Sequence, residues 1–280
     1  MKIMKNAKIV AEIGINHNGD INIAKSLASL AKNFGADYIK LQKKNPDICV
    51  PENEKNIEKP TIFGPMKYID YKKRMEFNEE KYNEFDRYCT LNNIPWFASV
   101  WDVTSVNFID KYNPDFIKIP SACITDKSLL TVSKDTNIPI IISRGMSTKE
   151  ELDIAIEILG DNLKYILHTT SSYPCPNEEM NMNALKTLKD IYGYKYKIGF
   201  SNHCSDIIYI IQAYVMGAEM LEFHITLDRN MGGTDQIASI GPTGFKRIID
   251  HLKNIDKGFG DGMLEVQKSE YPIREKLRKL

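Results

Sequence analysis

Eight short runs rich in β-branched and aromatic residues recur along the chain, and the stretches between them carry apolar residues at three- and four-residue intervals. The runs are Ala7–Gly14, Asp37–Gln42, Pro95–Val100, Asp115–Pro120, Pro139–Ser143, Lys164–His168, Tyr196–Phe200 and Met220–Ile225. Intervening segments such as Ile23–Phe34, Glu79–Asn92, Thr148–Leu159 and Asp206–Met216, and Gly244–Asn254 after the last run, have the spacing of helices that lay one face on a sheet. Eight strand–helix units predict an α/β fold of the (β/α)8 TIM-barrel class, for which 280 residues is an ordinary length. A doubly wound sheet usually has fewer strands, and no GxGxxG follows the first run. No linker, repeat or low-complexity tract divides the sequence, so residues 1–280 are expected to form one domain.

One connection breaks the rhythm. Lys43 to Asn78 is far longer than an ordinary loop from a strand to its helix. In a barrel this loop lies on the C-terminal face, where substrates bind, so it is read as a lid or substrate-contacting excursion rather than a solvated insertion.

The charge balance narrows the partner. With 37 basic and 37 acidic side chains there is no long-range pull toward nucleic acid or an anionic membrane, so an anionic ligand must be held by a local site and the partner is a small molecule. The N-terminal MKIMKNAKIVAEIG has no uncharged apolar core of signal-peptide length, and no stretch reaches the roughly 18 apolar residues of a membrane span. A cytoplasmic location is expected. The five cysteines, Cys49, Cys89, Cys123, Cys175 and Cys204, are widely spaced without CxxC, which points to free thiols rather than a disulfide framework or structural zinc.

Polar residues at the ends of the runs carry the chemistry. Glu12 sits inside the apolar AEIGIN, and a buried carboxylate needs a partner or a job. Lys40 in YIKLQ and Lys118 in FIKIPS make the same case with positive sign, and Gln42 shares the face of Lys40 because strand side chains repeat every two residues. With Ser121, Ser143, Ser171, Ser172 and Ser201 these lysines would make a cationic, donor-rich mouth suited to a phosphate or carboxylate. The other reading of each lysine is an internal ion pair with Glu12 or Glu222. Four of the five histidines, His17, His168, His203 and His224, fall at or just beyond strand ends, where a lone histidine is more often a hydrogen-bonded core residue. His203 and His224 differ in following the seventh and eighth runs, neighbours in a closed barrel, so the two imidazoles can converge on one metal ion. Glu222 shares the face of His224 and is a candidate third ligand or holder of a bound water.

At this point the chain resembles a known family, the sialic acid (N-acetylneuraminate) synthases with their legionaminic and pseudaminic acid relatives. AEIGINHNGD, GADYIKLQ, IKIPS, ISRGMST, HTTSSYP, GFSNH and FHITLDRNMGGTDQ follow in the family's order over roughly Ile9 to Phe245. The resemblance implies condensation of phosphoenolpyruvate with the open-chain aldehyde of an N-acylated hexosamine, giving a nine-carbon 3-deoxy-2-keto sugar acid and phosphate. Carried over by motif, it implies His203 and His224 as ligands of a divalent ion, Mn²⁺ first among Mn²⁺, Mg²⁺, Co²⁺, Fe²⁺ and Zn²⁺. Lys40, Lys118, Ser121, Ser143, Ser171, Tyr173 and Ser201 are implied as the phosphoenolpyruvate cradle, and Glu12, Gln42 and Asp235 as groups facing the sugar and the reacting centre. Glu12 would position or deprotonate the water that adds to C2.

The sequence departs from the family pattern in places. Cys123 stands where relatives often carry an acidic residue, Phe223 where many have lysine, and Arg144 where a small hydroxyl residue is usual, which would add a cation beside the phosphate mouth. Relatives continue into a small antifreeze-like domain that supplies an arginine to the acetamido group; the sequence stops at IREKLRKL, so none is expected here. The long loop, with Tyr68, Lys72 and Arg74, is expected to close over the sugar in its place, and the tail 258–280, with apolar residues from Met263 to Leu280, to pack on the barrel or on the partner of a homodimer. Competing readings are a related condensation with a phosphorylated acceptor, a non-catalytic sugar-acid-binding relative, and a metal-dependent isomerase.

Overall fold

In the computed structural model, which describes residues 7–278, the eight runs form strands β1 (Lys8–Gly14), β2 (Tyr38–Lys43), β3 (Trp96–Val100), β4 (Ile117–Ile119), β5 (Ile140–Arg144), β6 (Leu163–His168), β7 (Lys197–Asn202) and β8 (Met220–His224). All neighbouring pairs are parallel and β8 closes on β1, so the expected (β/α)8 barrel is formed. The leader-free reading of Met1–Asn6, and Leu280 of the tail, lie outside the described residues.

Two apolar clusters follow from the two-residue repeat of strand side chains. Ala11, Ile13, Leu41, Ala98, Ile119, Ile142, Ile166, Phe200, Phe223 and Ile225 face outward and pack with the helices. Their alternates Val10, Phe97, Ile141, Tyr165, Leu167 and Met220, with Tyr38 and Phe116 against them, form a separate plug in the lower barrel. The β7 position in this layer must be glycine, since a Cβ on Gly199 would lie 2.4 Å from Leu167 Cδ2. One step further up, the same inward faces carry Glu12, Lys40, Ser99, Lys118, Ser143, Ser201 and Glu222, all buried. The apolar plug therefore forms the floor beneath a polar layer.

The helices begin where the sequence caps them. Asp20, Asn78, Asp102 and Asp126 each accept a backbone N–H of the first turn of helices Ile21–Phe34, Glu79–Leu91, Val103–Asp110 and Lys127–Asp135. Thr148 and Glu151 form a reciprocal capping box before Lys149–Leu159.

The long loop is ordered structure over the mouth. It holds short helices Pro46–Cys49 and Glu52–Lys55, a two-stranded hairpin (Glu58–Lys59 with Met66–Lys67) and helix Tyr68–Met75. Its backbone abuts the loop after β1, where a Cβ on Gly19 would come within 2.5 Å of Arg74 O, and Ile62 abuts the loop after β8 at Gly232. Of the two placements expected for the tail, packing on the barrel is not formed: Met263, Leu264, Tyr271, Ile273 and Leu277 are exposed and form no part of the barrel's core.

Candidate active site

The residues assigned site roles by the resemblance, Glu12, Lys40, Gln42, Lys118, Ser121, Ser143, Ser171, Tyr173, Ser201, His203, His224 and Asp235, line one cavity of about 280 Å³ at the C-terminal ends of the strands. The two readings of the lysines prove compatible. Lys118 Nζ lies 3.1 and 3.0 Å from the two Glu222 oxygens, and Lys40 Nζ lies 2.9 Å from Glu12 Oε2 and 3.5 Å from Glu222 Oε1. Both lysines still form part of the cavity wall, so each ammonium is held by a carboxylate and also borders the cavity.

The two carboxylates behave differently. Burial alone would raise Glu222, but Lys118, Lys40 and a 3.0 Å bond from Ser201 hold it down to about 2, so it is a fixed anion. Burial raises Glu12 to about 7, against the pull of Lys40 and with the push of Glu222, and it also accepts from Gln42 Nε2 at 3.0 Å. Glu12 is therefore the group able to exchange a proton near neutrality. Burial likewise lowers Lys118 to about 8 in spite of Glu222.

On one wall the hydroxyls gather. Ser121 and Ser171 pair at 2.9 Å, and Ser143, 3% exposed, has a buried Oγ with no partner. Gly145 closes in on the pair so tightly that a Cβ there would stand 2.2 Å from Ser171 Oγ. A buried hydroxyl left open in this way is the mark of a site whose partner is a ligand.

On the other wall the two imidazoles face each other with centroids 5.9 Å apart, and Tyr173 packs edge-on against both at 5.2 and 5.1 Å. Burial lowers both, His224 to about 3, so each is neutral at pH 7. His203 Nδ1 lies 2.8 Å from Thr170 O; a carbonyl can only accept, so Nδ1 carries the proton and Nε2 keeps its lone pair. His224 Nδ1 is buried without a hydrogen-bond partner, 3.9 Å from Asp235 Oδ2. Two neutral imidazoles, one with its tautomer set by a backbone carbonyl, fit a divalent ion whose other positions remain open to oxygen ligands. The third-ligand role expected of Glu222 is not what the structure forms, because its oxygens are engaged by Lys118, Lys40 and Ser201.

A hydrogen-bonded scaffold braces the loop that carries Asp235. Tyr173 OH and Ser239 Oγ both donate to Asp235 O, at 3.0 and 2.6 Å, and Asn16 Nδ2 donates to Ser239 Oγ and Ile225 O, each at 2.8 Å. The sequence reading missed this scaffold, in which Asn16 meets Ser239 from 223 residues away. It also missed Lys44 and Trp101, which line the cavity with Lys72. Lys44 Nζ sits 3.4 Å over the Trp101 ring. Extending the alternation Lys40, Gln42 by one step would have found it.

His17 and His168 are core residues, as expected of a lone histidine at a strand end: His17 stacks on Phe77 at 4.0 Å, and His168 Nε2 donates to Met180 O at 2.9 Å. Other expectations are corrected. Ser172 is exposed and bonds Glu179 instead of facing the cavity. Of the three loop residues expected over the sugar, Lys72 lines the cavity, whereas Arg74 stacks on Phe63 at 3.7 Å and the Tyr68 ring carries Lys59 at 3.7 Å. Arg144 turns away from the lumen because it alternates with Ser143, and Phe223 is core for the same reason. Cys123 is buried, and burial raises its thiol to about 11, so it is a neutral residue beneath Trp101 O. All five cysteines are free thiols.

Residues 27–263 match the family described as the NeuB family. The N,N'-diacetyllegionaminic acid synthase of Campylobacter jejuni subsp. jejuni is 32% identical over 274 residues, 95% of this chain and 81% of that protein. The N-acetylneuraminate-9-phosphate synthase of Homo sapiens is 30% identical over 97% of this chain and 76% of its own length. The crystal structure of N-acetylneuraminic acid (sialic acid) synthetase from Leptospira borgpetersenii in complex with citrate superposes with a TM-score of 0.83 at 30% identity, covering 99% of this chain and 94% of that one.

Proposed function

Because the chain belongs to the NeuB family, we propose that it condenses phosphoenolpyruvate with the open-chain aldehyde of an N-acyl hexosamine, forming a nine-carbon 3-deoxy-2-keto sugar acid and releasing phosphate. The observation that carries this reading is the division of one cavity into a lysine–hydroxyl wall and a neutral imidazole wall, with Glu12 between them.

Lys40, Lys118, Ser121, Ser143, Ser171 and Ser201 bind the anionic groups of phosphoenolpyruvate, with the two ammoniums preorganised by Glu12 and Glu222 so that little rearrangement accompanies binding. Tyr173 completes that cradle, Gln42 orients the acceptor, and Asp235, held by its backbone carbonyl, presents a carboxylate to the sugar hydroxyls. A divalent ion, Mn²⁺ foremost, held by His203 through Nε2 and by His224, would supply Lewis-acid polarisation of the acceptor carbonyl. C3 of phosphoenolpyruvate forms the new bond to the aldehyde carbon, whose oxygen takes up a proton. Water then adds at C2, Glu12 accepts its proton, and the C2–O bond to phosphate breaks. The reaction is placed in the cytoplasm. No described helix is long and apolar enough to cross a membrane.

One observation favours an anionic acceptor. Lys44 and Lys72 line the cavity mouth, and neither has a carboxylate within salt-bridge distance among the described residues. Burial and the neighbouring Lys72 lower Lys44, so a negative substituent there would be welcome to both. Incubating the protein with phosphoenolpyruvate and Mn²⁺ against N-acylmannosamines, their 6-phosphates, and pentose and tetrose phosphates tests both readings, with phosphate and keto-acid formation measured together. Turnover confined to the pentose or tetrose phosphates would overturn the hexosamine reading. No product with any acceptor would overturn the condensation.

A further inference from the structure

Beside the reaction cavity lies a second depression that shares its rim at Met146, Thr169 and Ser171. The side chains that β5 and β6 turn away from the lumen build it. Arg144 is half-buried there, and among the described residues its side chain makes one hydrogen bond, a long 3.4 Å contact from Nη2 to Ser147 O. No carboxylate is within salt-bridge distance of it among the described residues, so most of its five donors are open. In the floor, His168 is 1% exposed; its Nε2 carries the proton given to Met180 O, and its Nδ1 is buried with no partner. Met146, on the rim between the two spaces, has φ +52°, a left-handed conformation that methionine rarely adopts, and its side chain stands exposed. An open guanidinium, an unpartnered buried nitrogen and a strained rim residue coincide on the side of the cavity where Ser121, Ser143 and Ser171 stand.

We propose that this depression is a second anion subsite, which takes inorganic phosphate as it leaves the reaction cavity. Arg144 supplies a planar fork that matches two phosphate oxygens. The hydroxyl that phosphate retains at neutral pH can donate to a neighbouring acceptor; Glu179, which accepts from Ser172 at 3.3 Å, and His168 Nδ1 are two that line the depression. Ser171 stands on the shared rim and can hold the ion on either side of it. The role as an exit station rests on the condensation proposed above. The site itself rests on Arg144.

Titration of inorganic phosphate followed by ³¹P NMR tests this, with and without saturating phosphoenolpyruvate and with no acceptor present. The expected result is saturable phosphate binding that persists when phosphoenolpyruvate fills the reaction cavity. Arg144→Ala should weaken it about tenfold, the loss of one charge-assisted contact, while leaving phosphoenolpyruvate affinity within about twofold. Arg144→Lys should recover part of the loss and serves as a check that the fold is intact. Phosphate binding abolished by phosphoenolpyruvate, or unchanged in Arg144→Ala, would overturn the subsite. Two bound equivalents of phosphoenolpyruvate, one lost in Arg144→Ala, would overturn it in favour of a substrate entry site. If phosphoenolpyruvate does not bind at all, the condensation falls, yet the phosphate titration of the free protein still reports on Arg144.

Discussion

Replacing Glu222 by glutamine removes one charge and keeps nearly all of the side-chain volume, so it isolates what that charge does. Lys118 and Glu222 are 1% and 5% exposed and lie 3.0 Å apart at their closest. In the variant Lys118 has no full counter-charge, since Glu12 is engaged by Lys40. It must then stay charged in a dry site or give up its proton. Discharge at pH 7 costs about 1.4 kcal/mol per pH unit over the roughly 3.4 units below the ordinary lysine value, about 4.6 kcal/mol. An intact buried pair is near break-even against its own desolvation, so this bounds the penalty, and broken buried pairs cost about 3–5 kcal/mol. For 280 residues, with an unfolding entropy of about 2.1 cal/mol/K per residue, that lowers Tm by roughly 5–8 °C.

The pH dependence carries a sign. A lysine whose folded pKa is depressed binds fewer protons folded than unfolded, so stability rises with pH up to the unfolded value near 10.4. In the wild type that rise begins at about 8, where Lys118 titrates; in the variant it begins lower. The bound on the penalty therefore shrinks to about 2 kcal/mol at pH 9. Urea unfolding of both proteins at pH 7 and pH 9 measures it. A penalty under about 1 kcal/mol at pH 7, or one that does not change with pH, would refute the reasoning. The double variant Glu222→Leu with Lys118→Met should regain most of the stability without regaining phosphate release.

Glu12→Gln should lower kcat by about 10² to 10⁴ with phosphoenolpyruvate affinity little changed. Wild-type kcat should rise with pH through about 7 as Glu12 ionises, and that limb should be missing from the variant's profile. His203→Ala or His224→Ala should remove Mn²⁺ binding in calorimetry and abolish phosphate release, with Tm shifted by only a few degrees; surviving activity would make the pair structural. Ser143→Ala should weaken phosphoenolpyruvate binding about tenfold without lowering stability, because the hydroxyl has no partner inside the protein. Lys72→Ala should raise KM for the acceptor about tenfold and leave that for phosphoenolpyruvate alone, and an unchanged acceptor KM would exclude the loop from the sugar site.

The parts of the site that were legible in sequence obey a local rule. Lys40 and Gln42 share a face, as do Glu222 and His224, because strand side chains alternate, and the same rule places Arg144 opposite Ser143 and Phe223 in the core. That alternation is why Arg144 stands beside the mouth, in the neighbouring depression, and not within it. The histidines were harder, since each of the four follows a strand in the same way. What separates His203 and His224 from His17 and His168 is which neighbour each ring meets: a second imidazole across adjacent strands for the first two, Phe77 for His17 and the Met180 carbonyl for His168.

The sequence by itself determined the eight strands, the helices between them, the long loop over the mouth and the order of polar residues around the ring, because periodicity and capping act over a few residues. Tertiary structure alone decided the pairings across the lumen. Glu222 meets Lys118, 104 residues away, and Asn16 braces the loop of Ser239, 223 residues away. Those contacts depend on the tilt and stagger of strands in the closed barrel, which set how inward side chains on distant strands come level, and no local pattern encodes a height. That levelling makes one carboxylate a fixed anion and leaves the other poised near neutrality.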